Sequence, residues 1–153
     1  MAPGASHSPA RLVNLPELHV VLFAFLLNFV WEFWQVPFYQ DLPSAPHWAA
    51  IKVCSLATVG DTAIALASFW VVAAVTRSRA WVRKPSVRQV LAFTLVGLVV
   101  TVSAEWGATR WLRWWTYTDQ MPTLPWLGTG LLPLLQWMIL PPLVVWFVQR
   151  QRT

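Results

Sequence analysis

Residues 18–36 read LHVVLFAFLLNFVWEFWQV, a run that is apolar except at a few positions. A helix of this length reaches about 30 Å, which is the thickness of a bilayer's hydrocarbon core. In lipid the backbone N–H and C=O groups must pair within the segment, so the run predicts a membrane-spanning helix. It contains Asn28 and Glu32 and has no small-x-small cleavage site. We therefore interpret it as a permanent span and not as a cleavable signal peptide.

Three further apolar runs follow, at residues 51–75, 87–105 and 130–148. Of the 153 residues, 57% are apolar and only 11% are charged, whereas soluble domains carry about 25% charged residues. The sequence therefore predicts an all-α polytopic membrane protein with four transmembrane helices. Pro133, Pro141 and Pro142 lie in the last run and are expected to kink the fourth helix or to end it early.

The distribution of Lys and Arg predicts the orientation of the spans. Eight basic residues lie in the two tails and the second loop, at Arg11, Arg77, Arg79, Arg83, Lys84, Arg88, Arg150 and Arg152. The other side has three, at Lys52, Arg110 and Arg113. The positive-inside rule then places both termini in the cytoplasm, in a bacterial inner membrane as the most natural setting. The net charge of +5 is explained by topology, so nucleic-acid binding is not expected.

This topology divides the chain into three parts. Residues 1–16 are rich in Pro, Ser and Gly and are expected to form a disordered cytoplasmic tail. Residues 17–149 form the four-helix transmembrane domain, and residues 150–153 are a second cytoplasmic tail.

Polar residues recur inside the predicted spans at helical spacing. Steps of three and four residues return to the same side of a helix, so such residues share a face. Small and polar faces pack towards the inside of membrane bundles, so we expect these groups to converge. They are Asn28, Glu32 and Gln35 in the first span, Asp61 in the second, Glu105 in the third and Gln136 in the fourth.

The depths of these residues differ. Glu32, Glu105 and Gln136 lie near the non-cytoplasmic ends of their spans, whereas Asp61 lies deeper. The cytoplasmic half has almost no polar residues, which argues against a continuous ion path. The polar groups therefore fill the outer half of the bundle.

Aromatic residues show the same asymmetry. Nine of the 12 tryptophans fall on the outer side, at Trp31, Trp34, Trp48, Trp106, Trp111, Trp114, Trp115, Trp126 and Trp137. Some of them anchor the bundle in the interface, but a plain aromatic belt would populate both interfaces. Aromatic faces beside carboxylates hold apolar ligands and stabilise positive charge.

The pattern predicts an acidic and aromatic pocket within the membrane. The candidate catalytic residues are Asp61, Glu32 and Glu105, because paired carboxyl groups in different environments can act as acid and base. The candidate substrate-binding residues are Asn28, Gln35, Trp31, Trp34, Trp106, Tyr117, Gln136 and Trp137.

Structural interpretations of the same residues remain open. Asp61 can be a buried carboxyl bonded to Thr58 or Asn28, and the two glutamates can reach the interface with their side chains. The three amides can serve only as hydrogen-bonding partners between helices. Arg110 and Arg113 lie on the predicted outer side, where they can pair with Asp119 or with lipid phosphate.

No cofactor is expected. His19 and His47 have no further ligands at fitting spacing, so no metal or haem site is predicted. Cys54 is the only cysteine and is expected to be an inert packing residue.

Two segments resemble known families. Glu105-Trp-Gly-Ala-Thr, followed by Trp115-Thr-Tyr117, Met121-Pro122, Pro125 and Trp137, resembles the membrane-embedded carotenoid-biosynthesis and lycopene-cyclase-like proteins. The segment Glu32-Phe-Trp-Gln35-Val-Pro37-Phe38 is similar to an acidic segment of the sterol-isomerase and sigma-2-receptor-like superfamily. Both resemblances imply an isoprenoid or sterol ligand in an acidic, aromatic pocket.

The sequence leaves two classes of function. The first is an intramembrane cyclase or isomerase acting on an isoprenoid-like substrate by acid/base chemistry. The second is a non-catalytic lipid-binding, transport or assembly subunit, for which the tryptophans would face the lipid. The expected partner is a membrane lipid or isoprenoid, and both a homodimer and a larger membrane complex remain open as assemblies.

Overall fold

The structure, a computed structural model, describes residues 15–151. Each of its four long helices is long and apolar enough to cross a membrane. Within the described residues there is no β-strand, only two isolated bridges between loops. The predicted all-α class with four candidate spans is therefore confirmed. The helices are α1 (Pro16–Trp34), α2 (His47–Thr76), α3 (Val87–Trp106) and α4 (Leu131–Arg150).

Local chemistry sets where the first three helices begin. Pro16 occupies the first turn of α1, where a missing N–H breaks no helical hydrogen bond. The start of α2 directly after Pro46 is four residues earlier than the predicted position 51. At α3 the side chain of Ser86 accepts from the backbone of Gln89, whose own side chain accepts from the Ser86 N–H. This capping box fixes the start of the helix.

The third span extends beyond its predicted end at residue 105. Helix α3 passes directly into a π-helical segment, Gly107–Leu112, which ends where Arg113 adopts a left-handed conformation with φ 51°. The wider turn of a π-helix rotates the following residues relative to α-helical periodicity. Hydrophobic periodicity does not reveal such a change, so the sequence indicated the α-helix up to residue 105 but not the π-helical segment that continues it.

Of the two effects expected of the prolines, a kink or an early end of the fourth helix, the early end was wrong. Helix α4 runs without a break from Leu131 to Arg150. Pro133 stands in its first turn, where its N–H would have no helical partner. Pro141 and Pro142 lie inside the helix. They have no N–H groups to bond to the carbonyl oxygens of the preceding turn, and the packing of α4 against its neighbours stabilises the helix at this point.

The helices form a ring in chain order. Helix α1 packs against α2 and α4, and α3 packs against the same two helices. One end of the bundle carries the segments 35–46 and 113–130 and is called the loop end. The opposite end carries the 3₁₀ segment Arg79–Arg83 and is called the arginine end.

The half of the bundle near the arginine end is closed by apolar packing. The Trp81 ring lies 5.7 Å from the ring of Phe69 and 5.7 Å from that of Phe93, measured between centroids. Val20 and Val144 are buried in the same core. At the surface, Arg79 forms an ion pair with Glu17 on α1. No polar group of the candidate site lies in this closed half.

The two predicted tails fall largely outside the described residues. Residues 1–14 of the predicted tail 1–16 lie outside them, and Pro16 already belongs to α1. Of the predicted tail 150–153, Arg150 ends α4, and residues 152–153 lie outside the described part.

Candidate functional site: an acidic cavity between the helices

Gln136 of α4 links the first two helices at the centre of the bundle. Its side-chain nitrogen lies 2.8 Å from Oδ1 of Asn28 and 2.8 Å from Oδ2 of Asp61. It also lies 3.3 Å from Oε1 of Glu32. An amide nitrogen has two hydrogens, so the two shorter contacts are its hydrogen bonds and the third is weaker. Three helices therefore meet at one buried amide.

Glu32 and Asp61 form a carboxyl pair beside this amide. Both groups approach the same side-chain nitrogen of Gln136, Oδ2 of Asp61 at 2.8 Å and Oε1 of Glu32 at 3.3 Å, so the two carboxyl groups are neighbours. Gln35 donates to Oε1 of Glu32 over 2.8 Å. The pair therefore lies between two helices and receives its hydrogen bonds from neutral amide donors.

The structure of α2 explains why its other polar residues do not take part. Thr58 and Thr62 each donate to the carbonyl oxygen four residues earlier, over 2.8 Å and 2.7 Å. Such bonds satisfy a hydroxyl within its own helix. Asp61 thus pairs with α1 and α4, and Thr58 is not the partner that the structural interpretation offered. Asn28 shares the Gln136 amide with Asp61 instead of bonding to it.

Glu105 occupies a separate position near the loop end. Its Oε2 accepts from the indole nitrogen of Trp115 over 3.3 Å and from the hydroxyl of Tyr117. Both donors come from the segment that follows the π-helix. Two donors at one oxygen stabilise negative charge there.

The two tyrosines of the chain pack against each other above these carboxyl groups. Tyr39 and Tyr117 form an antiparallel bridge, and their ring centroids are 5.6 Å apart. Gln40 and Thr118 add backbone hydrogen bonds of 3.0 Å each across the two segments. We call this contact the tyrosine bridge. It holds the segment after α1 against the segment after α3.

Both phenols of the tyrosine bridge are neutral at physiological pH. Burial raises the pKa of Tyr117, and the charge of Glu105 and the hydrogen bond to it raise it further. Burial also raises the pKa of Tyr39, with the charge of Glu105 as the next cause. Tyr117 is therefore a permanent donor to Glu105.

A cavity of about 730 Å³ lies between the carboxyl pair and Glu105. Its volume is within the roughly 300–1,000 Å³ range of small-molecule sites. All three carboxyl groups, Glu32, Asp61 and Glu105, are on its wall. The remaining wall is mainly apolar and aromatic, with a polar rim at the loop end. The apolar and aromatic members include Tyr39, Val53, Leu56, Ile64, Ala104, Trp114 and Trp115, and the rim consists of Gln40, Asp41 and Thr116.

The predicted catalytic residues and amides are brought to this region. Glu32, Gln35, Asp61, Glu105 and Gln136 line the cavity directly. The two other polar candidates lie one step behind the wall: Asn28 bonds to Gln136, and Tyr117 bonds to Glu105.

The predicted tryptophans lie elsewhere. Trp31, Trp34 and Trp106 are not on the cavity wall, and Trp34 and Trp106 are 59% and 45% exposed on the surface of the bundle. Trp137 is buried, with its ring against the backbone of Gly97. Trp34 and Trp106 therefore face the outside of the bundle, and Trp137 packs between α4 and α3.

Sequence reasoning missed the aromatic residues that do line the cavity. These are Tyr39, Trp114 and Trp115. All three lie in segments between helices, where no periodicity indicates which way a side chain turns. One signal was present: the only two tyrosines follow Glu32 and Glu105 at the ends of the first and third spans.

Within residues 15–151, no group of three or more His, Cys, Asp or Glu side chains is arranged to hold a metal ion. Cys54 is buried at the cavity wall, with its sulfur 3.9 Å from the carbonyl oxygen of Glu32. No family model, curated protein or solved structure matches the chain. Function is therefore inferred from the site.

Proposed function

We propose that the protein is a multi-pass membrane enzyme that binds an isoprenoid-like, lipid-soluble substrate in the cavity and acts on it by acid/base chemistry. One observation carries the proposal: the neighbouring carboxyls of Glu32 and Asp61, which share the Gln136 amide, and the separate carboxyl of Glu105 line one cavity. A group that holds a proton and a group that can accept one are the two elements of such a reaction.

The carboxyl pair is suited to be the proton donor. Two adjacent carboxyl groups cannot both ionise at low cost, so one proton stays with Glu32 and Asp61. The amides of Gln35 and Gln136 hold the pair in place. A substrate double bond beside the pair would take this proton and become cationic.

Glu105 is suited to be the proton acceptor. Trp115 and Tyr117 fix its orientation and stabilise negative charge on Oε2. Removal of a proton from the cationic substrate by Glu105 would restore a neutral product. Between these steps, the faces of Trp115, Trp114 and Tyr39 on the cavity wall stabilise the positive charge.

The proposed topology places the arginine end in the cytoplasm. The basic residues of the segment 77–88 and Arg150 lie at this end, and the positive-inside rule gives it that side. The site then lies in the outer half of the membrane, as in a bacterial inner membrane protein.

One observation favours a second function, a non-catalytic lipid-binding or assembly subunit. Most tryptophans near the loop end face outward, among them Trp34, Trp111 and Trp126 at 59%, 81% and 92% exposure. Outward tryptophans are what membrane anchoring or contact with a partner subunit requires. In this function the carboxyl pair and its amides serve as hydrogen-bonded contacts between helices.

Organic extraction of the purified protein, followed by mass spectrometry, tests the proposal. The wild type and Asp61→Asn are compared, with Asp119→Asn as the control, because Asp119 is exposed in a loop and is not on the cavity wall. We expect one enriched isoprenoid species, with a product form that is present in the wild type and the control but absent from Asp61→Asn. Bulk phospholipid alone from all three proteins would refute the enzyme and favour the subunit.

A further inference from the structure

The cavity has an opening on its side, between α2 and α3. These helices pack together around Phe69 and Phe93 in the half near the arginine end. In the other half both helices line the cavity. Two cavity-lining residues of α2 are exposed there, Leu56 at 72% and Val53 at 48%. We define the lateral gap by the cavity-lining residues Val53, Leu56, Gly60 and Ala104.

Gly60 shows that this gap is open space. It lies near the middle of the 30 residues of α2, about 20 Å along the helix from its start. A Cβ atom added at Gly60 would meet no other atom within 4 Å. At this depth of a membrane-spanning helix the surroundings are lipid chains, so the gap connects the cavity with the hydrocarbon core.

In the described part of the chain, two residues of the cavity wall each carry a buried polar atom that has no hydrogen-bond partner. These atoms are Oε1 of Gln35, whose side chain is 3% exposed, and Oγ1 of Thr101, which is 7% exposed. The nitrogen of Gln35 is already bonded to Glu32, so the atom of that amide without a partner is its acceptor oxygen. A buried acceptor without a donor costs free energy, which indicates that a ligand group supplies the donor.

We propose that the ligand is a single-chain isoprenoid alcohol that enters from the bilayer through the lateral gap. Its hydroxyl donates to Oε1 of Gln35, and its tail leaves through the gap past Gly60. The apolar residues of the gap fit a hydrocarbon chain, and the polar end of the cavity near Gln35 and Glu32 fits the hydroxyl. This inference rests on the proposed function, because it names the ligand class and route of the same cavity.

Saturable binding of tritiated geranylgeraniol to the protein in phospholipid vesicles provides the test. Gly60→Phe fills the lateral gap without a clash, and Gly107→Phe is the matched control. Gly107 is also helical, an added Cβ there also meets nothing within 4 Å, and it is not on the cavity wall. We expect Gly60→Phe to weaken binding about tenfold or more, a change in affinity that corresponds to the loss of one good contact. Gly107→Phe should bind like the wild type. Equal thermal unfolding temperatures for the three proteins show that each is folded.

The hydroxyl is tested with geranylgeranyl methyl ether, which has the same tail but no donor. The wild type is expected to prefer the alcohol about tenfold, and Gln35→Leu is expected to lose this preference. Unchanged binding by a folded Gly60→Phe overturns the route, and equal affinity for alcohol and ether overturns the head group. Both results leave the proposed function standing if extraction still yields a product that depends on Asp61. Absence of saturable binding by the wild type overturns this inference.

Discussion

The side-chain nitrogen of Gln136 lies 2.8 Å from Oδ2 of Asp61, and this contact joins the last helix of the bundle to the second. The same nitrogen lies 2.8 Å from Oδ1 of Asn28 on the first helix. A single neutral amide thus donates hydrogen bonds to the acidic centre. It belongs to a helix that has no carboxyl group on the cavity wall. Removal of this amide is the most direct way to weaken the centre without a change of charge.

Gln136→Leu is expected to destabilise the protein by about 1–2 kcal/mol, because polar contacts between membrane helices have about this value. Both Asp61 and Asn28 lose a donor, and the leucine fills a similar volume. Unfolding in mixed micelles with increasing denaturing detergent measures the change. Gln151→Leu, at an exposed position beyond the end of α4, is the control and should behave like the wild type. Equal stability of Gln136→Leu and the wild type would contradict this role.

Glu105→Gln is expected to stop product formation while the substrate remains bound. The amide keeps the shape of the carboxyl group but removes the acceptor for a proton, and such groups contribute about 10²–10⁴-fold to rate. Extraction should therefore recover the unreacted lipid from this variant. Glu17→Gln is a control at the arginine end, because Glu17 forms an ion pair with Arg79 there and is not on the cavity wall. Full activity of Glu105→Gln would assign proton removal to another group.

The two tyrosines provide a spectroscopic test of the tyrosine bridge. They are the only tyrosines of the chain, so tyrosinate absorbance reports on this site alone. Burial and Glu105 raise the pKa of Tyr117 above its ordinary value of 10, and burial raises that of Tyr39. Both should therefore ionise well above pH 10 in the folded protein and near pH 10 after unfolding.

The same shift sets the direction of a stability change. Above pH 10 the unfolded chain loses the tyrosine protons before the folded protein does, so stability falls as the pH rises through this range. Tyr117→Phe removes part of this fall. A titration midpoint near 10 for both residues in the folded protein would show that the bridge is open to solvent.

Gly97→Ala is expected to destabilise the bundle by about 1–3 kcal/mol, which is typical of overpacking in a core. A Cβ atom at Gly97 would collide with the ring of Trp137. Gly60→Ala is the matched control, because an added Cβ there meets no neighbour and alanine favours a helix. A second variant, Gly97→Ala with Trp137→Leu, should recover part of the loss. If Gly97→Ala were as stable as Gly60→Ala, α3 and α4 would not be in close contact at this point.

The helices were predictable because long apolar runs have one solution in lipid. The proximity of Glu32, Asp61 and Gln136 could also be predicted from the sequence, since a polar group within an apolar run turns towards the bundle interior. The position of Glu105 was not. Its partners Trp115 and Tyr117 follow a π-helix, and a change from α to π winding leaves no mark in hydrophobic periodicity.

The direction of the tryptophans was equally inaccessible. An aromatic residue near a helix end can face lipid or a cavity with the same composition around it. The structure places Trp115 on the cavity wall and leaves Trp111 at 81% exposure, although the two are four residues apart. The left-handed turn at Arg113 lies between them and separates their directions.

The donation from Gln136 also has a consequence for biosynthesis. The chain emerges from the ribosome with α1 and α2 first, so Glu32 and Asp61 are present before the amide that bonds to Asp61 has been made. Until α4 is inserted, the first hairpin has an acidic centre that lacks this donor. The last helix therefore completes the polar centre, and a chain that stops before α4 leaves Asp61 without this donor.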